Sequence, residues 1–302
     1  MGPFRNARHA ASSESIAIRK TLVRDVLPIG VTIQEERRQW EAYAASLKLP
    51  DGISLREESV GGIPCLWVED VATSASGVIL YVHGGGLVSG SPRTHAEFAS
   101  RVVRRLHRRV LLVDYRLAPE YPFPAALDDV QAAYRGLLER VAPRDLVLGA
   151  ESSGAALVLA LLVDLKNEPP LPAASFFISG HFDMTLSGTS MASREHVDPV
   201  TTRESLERAA EWYTRGVDRA SPRVSPVFGK LDGLPRLLLQ VGDDEILLDD
   251  STRVADAVRR GGGRAELSVW KGMWHAWPMH AGLPEADDAL VEVRDFLDEL
   301  PL

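Results

Sequence analysis

Cysteine is nearly absent: Cys65 is the only one in 302 residues. That excludes an internal disulfide and any zinc site built from several thiolates, and a lone thiol fits a reducing compartment. Long apolar runs are missing too. None approaches the roughly eighteen residues that a membrane-spanning helix needs. The opening Met1-Gly2-Pro3-Phe4-Arg5-Asn6-Ala7-Arg8-His9 lacks the apolar stretch of a secretory signal, and it offers no serine or threonine close behind Gly2 for myristoylation. The expected location is the cytoplasm. Positive charge is in deficit, with 34 Lys and Arg against 42 Asp and Glu and a formal net charge of −8. Nucleic acid and anionic membranes are therefore poor candidate partners. There is no internal repeat and no low-complexity segment; Pro169-Pro170-Leu171-Pro172 reads as a rigid loop.

What is present is an ordinary globular chain. Its hydrophobic fraction of 45% is enough for a substantial core in one large α/β domain or two small ones. Two helices are expected first. One runs from Ser12 to Leu27 on the spacing of Ile18, Leu22 and Val26, stopped by Pro28; the other runs from Ile33 to Leu47. The second carries Trp40 on one side and Glu35-Glu36-Arg37-Arg38 on the other, a run that reads as a solvated face. Strands at Ser54–Val60 and Ile63–Glu69 flank Gly61-Gly62, a hairpin signal.

Strands and helices then alternate. The strands are Val78–Val82, Val110–Tyr115, Asp145–Ala150, Ser175–Ser179, Arg236–Val241 and Glu266–Trp270. The helices are His95–His107, Ala125–Arg140, Gly154–Leu165, Ser251–Arg260 and Glu285–Leu300. This predicts an α/β fold with a mostly parallel eight-stranded sheet flanked by helices. The rhythm breaks between Ser179 and Arg236, where only Thr202–Arg215 reads as a helix. An insertion at the C-terminal end of a strand is where a ligand-covering segment sits.

Four stretches could carry chemistry. In Leu146-Val147-Leu148-Gly149-Ala150-Glu151-Ser152-Ser153-Gly154 a strand runs into a helix through small residues, with Ser152 at the apex, as a nucleophile elbow requires. His83-Gly84-Gly85-Gly86 follows the first buried strand, and its glycines let backbone N–H groups approach a developing negative charge. His83 itself reads as a structural histidine. A phosphate loop fits poorly, since no Gly-Lys-Ser/Thr follows. Gly242-Asp243-Asp244-Glu245 opens an acidic run after a strand, without the histidine or the spacing of a metal site. Finally, Gly272-Met273-Trp274-His275-Ala276-Trp277 follows the last strand. Each alone is weak, and each has a bland structural alternative. Together they give the order Ser…Asp/Glu…His behind a glycine-rich loop, the order of the α/β-hydrolases.

With these motifs the chain resembles the hormone-sensitive-lipase-like family of bacterial α/β-hydrolase esterases. Asp114-Tyr115-Arg116-Leu117-Ala118-Pro119-Glu120 and Pro122-Phe123-Pro124-Ala125-Ala126 extend the likeness, which runs from about Gly77 to the end. The resemblance implies a core over residues 51–182 and 221–302, and a helical cap formed by residues 1–50 and 183–220. It implies a serine carboxylesterase working through an acyl-enzyme. Ser152 is then the nucleophile, His275 the base, and the N–H groups of Gly85, Gly86 and Ser153 the oxyanion hole. It implies compact acyl esters or lactones as substrates, no cofactor or metal, and a homodimer as a common state among relatives.

The chain departs from the family at Ala150, Ser153 and Ala155 in the elbow. Leu87 stands where an aromatic residue is usual, and Ser179-Gly180-His181-Phe182-Asp183 replaces Ser-Pro-Trp-x-Asp. Leu87 and His181 are accordingly the expected substrate-binding positions. For the triad acid, the family pattern Asp-Pro-Leu-x-Asp falls on Glu245-Ile246-Leu247-Leu248-Asp249, which favours Glu245 over Asp244 and leaves Asp249 and Asp250 to cap the helix near Ser251. An acyltransferase remains open, because only the acceptor differs. A dehydratase has little reason to keep a complete triad. A hormone-receptor-like binding protein of this fold would lack the histidine that His275 supplies.

Overall fold

Short leucine- and valine-rich runs pair into one sheet because their backbone groups have no other partners once both faces are covered. The structure, a computed structural model, describes residues 4–5, 11–22, 24, 31–72, 77–166, 168 and 170–300. The strands are β1 (Phe4–Arg5), β2 (Ile53–Val60), β3 (Ile63–Asp70), β4 (Val78–Val82), β5 (Arg109–Val113), β6 (Leu146–Glu151), β7 (Ala174–Ile178), β8 (Arg236–Gly242) and β9 (Ala265–Trp270). The helices are α1 (Ser13–Arg19), α2 (Ile33–Ser46), α3 (Ala96–Leu106), α4 (Ala125–Leu138), α5 (Gly154–Leu165), α6 (Ser190–Ser193), α7 (Arg203–Thr214), α8 (Leu248–Arg260) and α9 (Pro284–Asp298).

The strand order is β1-β9-β8-β7-β6-β4-β5-β3-β2. Only the β2–β3 and β3–β5 pairs are antiparallel; the remaining pairs are parallel. Alternation along β4 serves both faces. Val78, Leu80 and Val82 join the cluster that holds Leu127 of α4, Leu157 of α5 and Val254 of α8. Ile79 and Tyr81 join Phe98 of α3 and Leu290 of α9. The expected eight strands are all present, and two residues at β1 extend the sheet beyond β9 in parallel. The C-terminal ends of β4, β6, β7, β8 and β9 lie on one edge of the sheet, which is where an α/β fold places its ligand crevice.

Four expectations need correction. Helix α1 ends at Arg19 instead of Leu27, and Pro28 lies outside the described residues. The insertion holds the short α6 besides α7. Helix α8 begins at Leu248, three residues early, with no side-chain cap. Asp249 and Asp250 are already inside its first turn and bond outward instead. Asp249 accepts from Thr189 Oγ1 (2.6 Å) and Ser190 N (3.0 Å), and Asp250 accepts from Phe182 N (2.7 Å) and Asp183 N (2.9 Å).

Helix α2, fourth, does not carry its charged run as a solvated face. Trp40 is 42% exposed, whereas Arg37 turns inward and bonds Val88 O, Ala118 O and Glu120. The charged run is not uniformly solvated. Ile33 is the only buried residue of α2.

Candidate active site

Ser152 sits at the junction of β6 and α5 with φ +50°, the left-handed region that costs a non-glycine residue about 1–3 kcal/mol. Neighbouring backbone fixes it there. Ser152 N donates to Ile178 O (3.0 Å), and its carbonyl accepts from Ala155 N (3.1 Å) and His181 N (2.9 Å). Gly154 permits the close approach of helix to strand: a Cβ there would lie 2.3 Å from Val82 O and 2.4 Å from His83 O. Ala150 is accommodated, because its methyl enters the core cluster on the α5 side of the sheet.

His275, carried by the loop after β9, places Nε2 3.0 Å from Ser152 Oγ. Its Nδ1 lies 3.3 Å from Glu245 Oε2. With the Nδ1 proton directed at the carboxylate, Nε2 offers its lone pair to the serine hydroxyl. Glu245 is fully buried and accepts through Oε1 from Ser179 Oγ (2.6 Å) and Gly242 N (2.7 Å). Asp244 points elsewhere and pairs with Arg19 of α1 at 2.7 Å.

Burial works against the charge on both members of the His275–Glu245 pair. It pushes the Glu245 carboxyl up, and the bonds from His275, Ser179 and Gly242 only partly offset it. Burial alone would depress the His275 imidazole, but the hydrogen bond and charge of Glu245, with smaller contributions from Asp198 and Glu151, raise it above the ordinary histidine range.

The glycine loop faces the serine. Gly85, Gly86 and Leu87 have φ of +101°, +66° and +62° in succession. Among the described residues, no acceptor is paired with the N–H of Gly85, Gly86 or Ser153. Leu87 is buried; its N–H donates to Ser153 Oγ (3.0 Å) and its carbonyl accepts from Ala118 N (2.9 Å). Helix α7 lies over this loop, with Ala209 Cβ 3.1 Å from where a Cβ on Gly86 would stand. His181 is buried with Nε2 3.1 Å from Asp183 O, and burial pushes its imidazole down to about 4, so the ring is neutral. Ser152 and His275 retain only 9% and 8% exposure.

Further residues support the site, and of these Glu151, His95 and Asp198 carry no role that the sequence shows. Glu151, next to the serine, is buried and accepts from Gly84 N (2.5 Å), Tyr81 Oη (2.9 Å) and His95 Nε2 (3.1 Å). The visible signal was a lone acid at the end of an apolar strand. His83 stacks between Tyr115 (4.3 Å) and His95 (5.1 Å) and bonds Gly84 O at 2.8 Å through Nδ1; burial pushes it down to about 3, in keeping with a structural role. Ser179 Oγ bridges Glu245 to the backbone N–H of Ala276 (2.9 Å). Asp198, inside the insertion, accepts from Ile246 N (3.1 Å) beside the acid. No group of metal-ligating side chains occurs among the described residues.

Known proteins share this arrangement of chain. The α/β-hydrolase fold family matches residues 79–279. An esterase of Acinetobacter venetianus is 37% identical over 233 residues, 76% of this chain and 77% of that protein. An acetyl-hydrolase of Streptomyces hygroscopicus is 38% identical over 263 residues, 86% of each. Among solved structures, an esterase from the bacterial hormone-sensitive lipase family superposes with a TM-score of 0.91 at 37% identity, covering 96% of this chain and 99% of that one. The structure of EstE5 soaked with p-nitrophenyl butyrate gives 0.89 at 38% identity, with the same coverage. No described helix is long and apolar enough to cross a membrane.

Proposed function

The chain belongs to the α/β-hydrolase family, among the hormone-sensitive-lipase esterases, and is a carboxylic ester hydrolase; on that premise we propose that it cleaves short or compact acyl esters through an acyl-enzyme on Ser152. The observation that carries this reading is the chain of contacts from Ser152 Oγ through His275 to Glu245. His275 Nε2 takes the serine proton as Oγ attacks the ester carbonyl, and returns it to the departing alkoxide. Glu245 holds the tautomer and offsets the imidazolium charge. The N–H groups of Gly85, Gly86 and Ser153 receive the oxyanion, each worth about 2.7–4 kcal/mol of transition-state stabilisation. Water, activated by the same histidine, then releases the acid.

The compact-acyl preference is supported by α7 closing over the glycine loop and by the low exposure of Ser152 and His275. A relative named acetyl-hydrolase points the same way. Turnover of p-nitrophenyl acetate and butyrate should be rapid, organophosphate-sensitive and far above that of palmitate. An inert protein, or equal rates across the series, would overturn the substrate reading.

We propose that Leu87 and His181 set selectivity from behind the site: the main chain of each bonds directly to an elbow residue, and their side chains are enclosed in its wall. Leu87→Ala and His181→Phe should each shift the butyrate-to-acetate ratio of kcat/KM by about threefold or more, the scale of a methylene-sized change in an apolar pocket. Unchanged ratios in both variants would remove the assignment.

The pH dependence has a definite sign. His275 acts as a base only when neutral, and its environment raises it, so the acid limb of kcat/KM should fall above the ordinary histidine value of about 6.5. A limb below that value would show that Glu245 does not stabilise the imidazolium.

A further inference from the structure

Arg37 lies on α2, outside every strand that builds the site, yet its guanidinium is spent on main chain next to the glycine loop. Nε donates to Val88 O at 2.7 Å and Nη2 to Ala118 O at 2.7 Å. Nη1 and Nη2 also grip Glu120 Oε1 and Oε2, both at 2.9 Å. Val88 closes the turn that begins at Gly85, because Val88 N and Ser89 N both donate to Gly85 O (3.1 and 2.9 Å). Ala118 N donates to Leu87 O at 2.9 Å. The fork therefore bonds the turn at Val88, next to Leu87 in the chain, and the segment whose N–H holds the Leu87 carbonyl.

Such support answers a local need. Three successive residues with positive φ, one of them a leucine, form a sparsely populated backbone that persists only where its surroundings over-determine it. Ser153 Oγ secures the Leu87 N–H and Glu151 secures Gly84 N from below. Arg37 supplies the only side chain among the described residues that donates to Val88 O. The pair with Glu120 is partly exposed, and pairs of that kind contribute little, so the two carbonyl bonds are the stronger part of what the guanidinium makes.

We infer that Arg37 is a positioning residue for the glycine loop: its bonds to Val88 O and Ala118 O hold the turn in the geometry in which the Gly85 and Gly86 N–H groups converge on the substrate oxygen. The inference rests on the oxyanion role proposed for that loop. It makes an N-terminal helix part of the machinery that stabilises the transition state.

The experiment compares Arg37→Lys, Arg37→Ala and Glu120→Gln, reading kcat and KM on p-nitrophenyl butyrate, the affinity of butylboronic acid as a tetrahedral mimic, and Tm. Lysine keeps the charge but cannot fork onto two carbonyls. Both Arg37 variants should lose about tenfold or more in kcat with KM nearly unchanged, and boronate affinity should fall in step. Millimolar ethylguanidinium should restore part of the rate to Arg37→Ala. Glu120→Gln, which leaves both carbonyl bonds in place, should keep kcat and boronate affinity within about twofold. Either Arg37 variant with unaltered kcat and boronate affinity but a lower Tm would overturn the inference and reduce Arg37 to an anchor of α2. If the unaltered protein neither turned over the ester nor bound the boronate, the oxyanion role itself would fall, and this inference with it.

Discussion

Ser152→Ala is expected to lower kcat on p-nitrophenyl butyrate by about 10⁴-fold or more while leaving the fold unchanged. Ser152 Oγ is the hydroxyl that the His275 Nε2 lone pair meets, at 3.0 Å. Ser153, the neighbouring hydroxyl, is fully buried and accepts from Leu87 N, so it is placed to brace the loop and not to attack. The backbone bonds that hold residue 152 at positive φ all involve main-chain atoms, and alanine keeps them. Circular dichroism and Tm should therefore match the unaltered protein. Turnover within about tenfold of the unaltered protein in a folded Ser152→Ala variant would remove Ser152 from the mechanism.

The second large effect separates two adjacent acids. Glu245→Gln should cost about 10³- to 10⁴-fold in kcat, because an amide presents the wrong partner to Nδ1 and cannot offset the imidazolium. The acid limb of the pH profile should also move down, since the hydrogen bond and charge that raise His275 are lost. Asp244→Asn should change kcat by no more than about threefold. Its carboxylate faces Arg19, in a pair whose side chains are 29% and 24% exposed, and such pairs are screened. The reverse pattern, with Asp244→Asn inactive and Glu245→Gln active, would exchange the two roles.

The fold was legible wherever local pattern reports burial. The short apolar runs at β4, β6 and β8 read as interior strands, and each is almost wholly buried. The order of serine, acid and histidine was equally visible, because each lies in a turn just after a strand. Choosing between Asp244 and Glu245 needed alignment on Leu247 and Asp249, since both acids sit in one polar run. Glu245 is the one beside His275.

What stayed hidden has a common physical cause: a sequence shows that a residue is charged but not which distant backbone atom it will meet. Arg37 looked solvated because its neighbours Glu35, Glu36 and Arg38 are charged, yet its partners lie 51 and 81 residues away. Asp249 and Asp250 looked like helix caps, and they instead bond residues 59 to 68 positions earlier, the partners of Asp249 falling in the insertion. Two residues at β1 are too short to show any period, so the ninth strand left no signal.

The acyl-enzyme proposed on Ser152 is open to test by mass mapping of a trapped adduct. After reaction with diethyl p-nitrophenyl phosphate, digestion should locate a single diethylphosphoryl group on the peptide containing Ser152, with loss of activity proportional to labelling and no label in Ser152→Ala. A label on Ser153 or on any other residue, or full labelling of Ser152 with activity retained, would show that Ser152 is not the acylated residue.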